Sequence, residues 1–224
     1  MDEVKILYET QELVVCLKPA GVLSQTGKPG QASMVSLLEE QLHTPVFPVH
    51  RLDREAAGVM VYAKNEAMAA QLSCQIQQGG FTKEYLAVVR GCPSQNQGLW
   101  TDLLYHDQKR NKTFVVDRKR KGVREARLVY RCLERTEDCT LVQVHLLTGR
   151  THQIRVQFAS RGMPLVGDGR YGGGSGALGL WSLRLGFRLP ETGLLYFTSL
   201  PEALGPFGNL EVPDPLQPNN FMVL

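Results

Sequence analysis

A chain of 224 residues, 43% of them hydrophobic, carries enough apolar material for one large packed domain, or at most two small ones, which excludes wholesale disorder. Its five cysteines (Cys16, Cys74, Cys92, Cys132 and Cys139) are scattered, and no Cys-x-x-Cys pair occurs, so the usual spacings of zinc and dithiol sites are excluded. The net charge of +3 is too small to diagnose a function class.

In chain order, Val4–Tyr8 and Glu12–Leu17 read as strands, stopped by the turn Lys18-Pro19-Ala20-Gly21. Ser33 is placed to cap an amphipathic helix running to about His43, with Val35, Leu38 and Leu42 near helical spacing. Pro45 and Pro48 force an extended approach into Val49–Asp53. Gly58–Ala63 alternates as a strand, and Asn65 caps a helix bearing Met68, Leu72 and Ile76 that stops at Gly79-Gly80. Phe81–Val89 is a strand and Pro93–Gly98 a loop. Thr113–Val116, Ala126–Leu133 and Leu141–Leu147 are further strands. Thr148-Gly149-Arg150-Thr151 opens a helix with Ile154 and Phe158 on one face, ending near Gly162. Leu180–Leu189 and Leu194–Thr198 complete the strands, and 202–224 is an acidic, Pro-rich tail. Many strands with few, irregularly placed helices predict an α+β fold with a mainly antiparallel, mixed sheet. No linker divides the chain, so residues 1–224 are expected to form a single domain.

Charge is unevenly spread. Lys109, Arg110, Lys112, Arg118, Lys119, Arg120, Lys121, Arg124, Arg127, Arg131 and Arg135 crowd the middle, whereas nothing beyond Arg188 is basic. Such a block suits a phosphate backbone, or else a solvated hairpin. The N-terminus lacks the layout of a signal peptide and no apolar run reaches the length of a membrane span, so the expected location is the cytoplasm.

Three segments carry chemistry. In His50-Arg51-Leu52-Asp53-Arg54 a carboxylate stands between two guanidinium groups, which favour its ionised form; the alternative is a structural ion pair. In Lys83-Glu84-Tyr85-Leu86-Ala87-Val88-Val89-Arg90-Gly91 a strand tyrosine either joins the core or presents its ring to a base. Thr148-Gly149-Arg150-Thr151-His152-Gln153-Ile154-Arg155 is a turn into a helix start, with Arg150, His152 and Arg155 as donors for an anion, or an ordinary basic helix face.

Taken together and in this order, the segments resemble the RluA-type pseudouridine synthases. Lys18-Pro19-Ala20-Gly21 is similar to that family's N-terminal Lys-Pro-x-Gly element, and Gly167-Asp168 with Tyr171-Gly172 to its Gly-Asp…Tyr-Gly element. The resemblance runs from about Leu13 to Pro190. It departs at Leu17 (usually Asn), at Ala56-Ala57-Gly58 (usually Ser/Thr-Ser-Gly) and at Leu180-Trp181-Ser182 (usually Leu-His-Ala).

The resemblance implies an isomerase that converts uridine in tRNA or ribosomal RNA to pseudouridine without metal or cofactor. It implies Asp53 as the essential carboxylate, Arg155 as its partner, and Tyr85 packed on the uracil. Arg51, Arg54, Arg150, His152, Lys109, Arg110 and Lys112 are the expected RNA contacts. The expected assembly is a monomer that binds a structured stem-loop and has no RNA-binding domain ahead of the catalytic one. A binding protein of the same fold without catalysis is the rival reading, and a hydrolase lacks a second carboxylate paired with Asp53.

Overall fold

Local sequence signals set both long helices. In the computed structural model, which describes residues 3–28, 30–202 and 205–208, helix α1 spans Met34–Leu42. Ser33 caps it by accepting from the Ser36 N–H, while the Ser36 hydroxyl accepts from the Ser33 N–H, a reciprocal box. It ends at His43 in the left-handed region, φ 52°. Helix α2, Glu66–Gln78, starts where the Asn65 side chain accepts from the Met68 N–H at 2.8 Å, and stops at Gly79, φ 77°.

The chain forms two compact units. The first comprises Met1–Lys83 and Trp181–Ser199, the second Glu84–Leu180 and Leu200–Leu224. Unit one holds strands β1 (Ile6–Glu9), β2 (Leu13–Lys18), β3 (Phe47–Pro48) and β4 (Ala57–Ala63). It also holds most of β10 (Leu180–Leu189) and all of β11 (Gly193–Thr198). β1, β2 and β4 pair antiparallel in sequence, β3 adds to β4, and β11 pairs antiparallel with β10. β4 and β10 run parallel, with Trp181 opposite Ala57 and Ser182 opposite Gly58, which makes this sheet mixed. The backbones approach so closely there that a Cβ at Gly58 (φ 117°) would strike the Ser182 main chain. Two residues at which the sequence departs from its resemblance, Ala57 and Trp181, are therefore register partners.

Alternate residues of these strands (Leu13, Val15, Val59, Val61, Ala63, Leu185 and Phe187) pack with Met68, Leu72 and Phe81 to form the core of unit one. At about 1.5–3 kcal/mol per fully buried large side chain, this face dominates the unit's stability.

Unit two is an antiparallel sheet in the order β5-β9-β8-β6-β7, formed by β5 (Thr82–Arg90, from Glu84 onward), β6 (Gln97–Asp107), β7 (Lys112–Val116), β8 (Val123–Arg135) and β9 (Cys139–Leu146). Helix α3, Gln153–Ala159, packs on one face of it. Phe158 meets Trp100 and Tyr130 edge-on, with ring centroids 4.7 and 6.1 Å apart, and Val156 joins Leu104 and Ala126. Asp102 accepts from Gln157 and from two nitrogens of Arg161, closing the far end of the helix.

The α+β, mainly antiparallel expectation holds. Two local expectations are corrected. The loop expected over Pro93–Gly98 ends sooner, because β6 begins at Gln97 and pairs with both β7 and β8. The helix expected from Thr148 begins only at Gln153, because His152 sits in the left-handed region (φ 54°), where a helix cannot propagate. Of the tail 202–224, only Glu202 and the short 3-10 turn Gly205–Phe207 with Gly208 are described; the rest lies outside the described residues. Among the described residues no helix is long and apolar enough to cross a membrane.

Candidate active site

In unit one, Asp53 lies on the loop between β3 and β4, half-buried between exposed Arg51 and Arg54. The loop is held by its main chain. The Ser24 hydroxyl, buried, accepts from the Leu52 N–H at 3.0 Å and donates to the Leu52 carbonyl at 2.9 Å. Tyr62 donates to the Ser24 carbonyl at 2.7 Å, which fixes the clamp from beneath. Beyond Asp53, its carbonyl accepts from the Ala56 N–H, and Arg54 exchanges two hydrogen bonds with Gly21.

Lys18 is the strongest anchor. Its ammonium, 1% exposed, donates to the carbonyls of Pro19, Arg54 and Ala56 at 2.8, 3.0 and 2.7 Å. Two of its protons are directed at the backbone just after Asp53 and the third at the turn after β2, each worth about 1.5–3 kcal/mol as a charged hydrogen bond. Burial pulls its pKa down to about 8, opposed by the carboxylates of Glu55 and Asp53. His50, preceding the loop, is neutral: burial, helped by the charge of Lys83, brings its pKa down to about 3. Its Nε2 accepts from the Val61 N–H at 3.1 Å, which puts the proton on Nδ1.

In unit two, Tyr85 is 5% exposed on β5. It lies opposite Val144, which lies opposite Tyr130, and Tyr130 meets Phe158 of α3; Tyr85 thus shares the sheet face that carries α3. Arg155 projects from that helix and is 4% exposed. Its Nε donates to Asp168 Oδ2 at 2.7 Å and its Nη2 to Asp168 Oδ1 at 2.8 Å, a bidentate pair with the carboxylate fully buried. The guanidinium also lies over the Tyr171 ring, 5.4 Å from its centroid.

Tyr171 links several pieces. Its hydroxyl accepts from the Thr113 N–H at 2.8 Å and shares a hydrogen bond with His152 Nδ1 at 2.9 Å. The Thr113 hydroxyl in turn donates to the Thr151 carbonyl and contacts His106 Nδ1. The loop bearing Asp168 and Tyr171 depends on close backbone approach. A Cβ at Gly167 (φ 74°) would collide with the Ala177 carbonyl, and one at Gly173 with the Leu165 carbonyl.

The expected RNA contacts are dispersed. Lys109 and Arg110 are exposed at the β6–β7 turn, where their N–H groups donate to Asp107. Lys112 lies over the Tyr171 ring at 5.2 Å, and Arg170, which sequence reasoning passed over, donates to the carbonyls of Arg110 and Asn111. Of these residues, Lys112, His152 and Arg155 contact Tyr171 directly. Arg150 points elsewhere: its Nε donates to the Glu125 carbonyl. His152 is buried, so its described bond is internal. Arg51 and Arg54 belong to unit one.

Sequence reasoning saw Lys18, Asp168 and Tyr171 only as parts of recurring elements, and Ser24 not at all. The Lys-Pro and Gly-Asp pairings were the available signals. Among the described residues no cluster of three or more His, Cys, Asp or Glu is placed to hold a metal ion.

Residues 12–160 match the family model described as RNA pseudouridylate synthase. The chain is 36% identical over 179 residues to ribosomal large subunit pseudouridine synthase D of Pseudomonas aeruginosa, covering 76% of this chain and 54% of that protein. It is 33% identical over 184 residues to tRNA pseudouridine synthase C of Haemophilus ducreyi, covering 76% and 74% respectively. The chain spans little more than half the length of several curated relatives it matches. Its fold is similar to that of human RNA pseudouridylate synthase domain containing 4, with a TM-score of 0.74 at 24% identity, over 88% of this chain and 89% of that one.

Proposed function

We propose that this chain, which belongs to the RNA pseudouridylate synthase family, isomerises specific uridines of structured RNA, in tRNA or ribosomal RNA, to pseudouridine. The observation that carries the reading is the Asp53 loop: a half-exposed carboxylate between two arginines, on a backbone gripped by Lys18 and Ser24. Pinning the main chain helps fix where the half-exposed carboxylate stands, as orientation-dependent catalysis requires.

In the reaction the bond from ribose C1′ to uracil N1 breaks and one from C1′ to C5 forms. The C5 proton leaves and N1 gains one, so atoms and electrons balance without oxidant, reductant or external nucleophile. For that reason no metal or cofactor belongs to the proposal. Asp53 either adds to C1′ or takes a ribose proton to give a glycal, and both routes need the ionised carboxylate. Arg155 supplies a fixed positive charge. Tyr85 packs against the uracil and assists loss of the C5 proton.

A stacked uracil cannot turn, so the nucleotide must leave its helix at a cost of a few kcal/mol. Lys109, Arg110 and Lys112, with Arg51, Arg54, Arg150 and His152, are proposed to offset that cost through contacts to the RNA. The proposal treats 1–224 as one catalytic domain. It places the protein in the cytoplasm as a monomer, and the five cysteines, all free thiols, accord with a reducing compartment.

The test is pseudouridine-specific chemical mapping of cellular RNA with the gene intact and deleted. Sites lost on deletion should return with the wild-type protein and not with Asp53→Asn. A map unchanged by deletion, together with purified protein inactive on the same RNA, would count against catalysis.

A further inference from the structure

We propose that Asp168 and Tyr171 are positioning residues that set the guanidinium of Arg155 for the reaction. The inference rests on the role proposed above for Arg155 and deepens it. Asp168 takes the Nε–Nη2 edge of the guanidinium in two short bonds, 2.7 and 2.8 Å, which define both its plane and its direction. The Asp168 carboxylate is itself fixed: Oδ1 also accepts from the Tyr171 N–H at 3.3 Å, and its loop closes through bonds between Gly167 and Gly173 and between Gly173 and Asp168.

Tyr171 restrains the other dimension. Its ring lies under the guanidinium, and its hydroxyl is held by two elements at once, Thr113 of β7 and His152 at the start of α3. The hydroxyl accepts from the Thr113 amide, so its own proton is available to His152 Nδ1. That arrangement ties the strand beside the Lys109–Lys112 turn to the side chain that orients Arg155.

Stability alone does not account for this arrangement. A buried arginine–carboxylate pair is often no more stabilising than apolar residues of similar volume. What such a pair secures is the orientation of a planar donor, and a misplaced catalytic group loses rate steeply with small displacements.

The experiment measures tritium release from bulk RNA of cells lacking this gene, labelled at uridine C5, because forming the C1′–C5 bond expels that hydrogen. Asp168→Asn should lower kcat by about 30-fold or more with KM within about threefold, and Tyr171→Phe should lower kcat about three- to tenfold. In an Arg155→Lys background, Asp168→Asn should cost less than about threefold further, because its effect acts through the guanidinium. A purely structural role would instead give the full loss in both backgrounds and would overturn the inference. So would a folded Asp168→Asn protein with wild-type kcat. Where Asp168→Asn fails to fold, Tyr171→Phe decides, since it removes one oxygen and keeps the ring; unchanged kcat would then overturn the proposal. Release by wild-type protein with no effect of these variants defeats this inference alone, whereas no release by wild-type protein defeats the proposed function with it.

Discussion

The Asp53 loop and helix α3 immobilise a charged side chain in opposite ways. At Asp53 the grip is on the main chain: Lys18 and Ser24 hold the backbone of residues 52–56, and the carboxylate is left half-exposed. At Arg155 the grip is on the side chain itself, by Asp168 and Tyr171, and the group is almost wholly buried. A group that reacts with substrate must be placed without being covered, whereas a group that supplies a fixed charge gains from being covered, since a charge acts more strongly away from water.

This contrast breaks most sharply at Asp53. Asp53→Asn should reduce turnover on the order of a thousandfold or more in single-turnover tritium release, with the fold and RNA affinity largely kept, because the bonds from Lys18 and Ser24 reach the backbone and survive the substitution. Loss of folding in that variant would mean that the side chain is itself a structural support.

At Arg155 the expectation reverses. Arg155→Met strands a buried carboxylate and should cost about 3–5 kcal/mol of stability by urea unfolding, in addition to activity. Replacing both partners, Arg155→Met with Asp168→Leu, should restore most of that stability and none of the turnover. Stability that stays low in the double variant would contradict the view that the pair serves orientation.

Lys18→Met tests the backbone grip directly. Three carbonyls lose their donor while a buried charge is removed, so the net destabilisation should be on the order of 2–3 kcal/mol. Turnover should fall roughly tenfold at unchanged KM, as Asp53 is displaced. A rise in KM with kcat intact would assign Lys18 to RNA binding instead.

The smallest effect concerns pH. His50 titrates at about 3 in the folded protein, against an ordinary value of 6.5 that the unfolded chain regains. Between those values only the unfolded state holds the proton, so the stability from neutral His50 is complete above pH 6.5 and is lost as pH falls toward 3. From pH 6.5 to 5 the loss should be about 2 kcal/mol, and His50→Gln, which keeps an acceptor for Val61, should flatten it. Urea midpoints across this range for both proteins decide the matter.

Local rules made much of this legible. Ser33, Asn65 and Gly79 announce helix ends because capping is chemistry between near neighbours. Leu180–Leu189 announces a strand because its apolar run ends at a turn. The Asp53 segment and Arg155 were visible as charge patterns, and the family resemblance they carried agrees with the comparisons. β6 was overlooked because Leu103-Leu104 blurs its alternation and few of its residues are β-branched. Its strand state comes from pairing with β7 across a short turn and with β8 along nearly its whole length.

The sequence by itself thus determined the α+β class, the helix boundaries fixed by caps and which charged residues are proposed for the site. Only the tertiary structure decided which groups hold them. Lys18 reaches carbonyls 36 and 38 residues away, and Asp168 and Tyr171 close on Arg155 and Thr113 from a loop that exists because glycines let its backbone pack tightly. A charge is a property of a residue, but its orientation belongs to the partners that folding brings to it, and their separation along the chain leaves no local pattern to read.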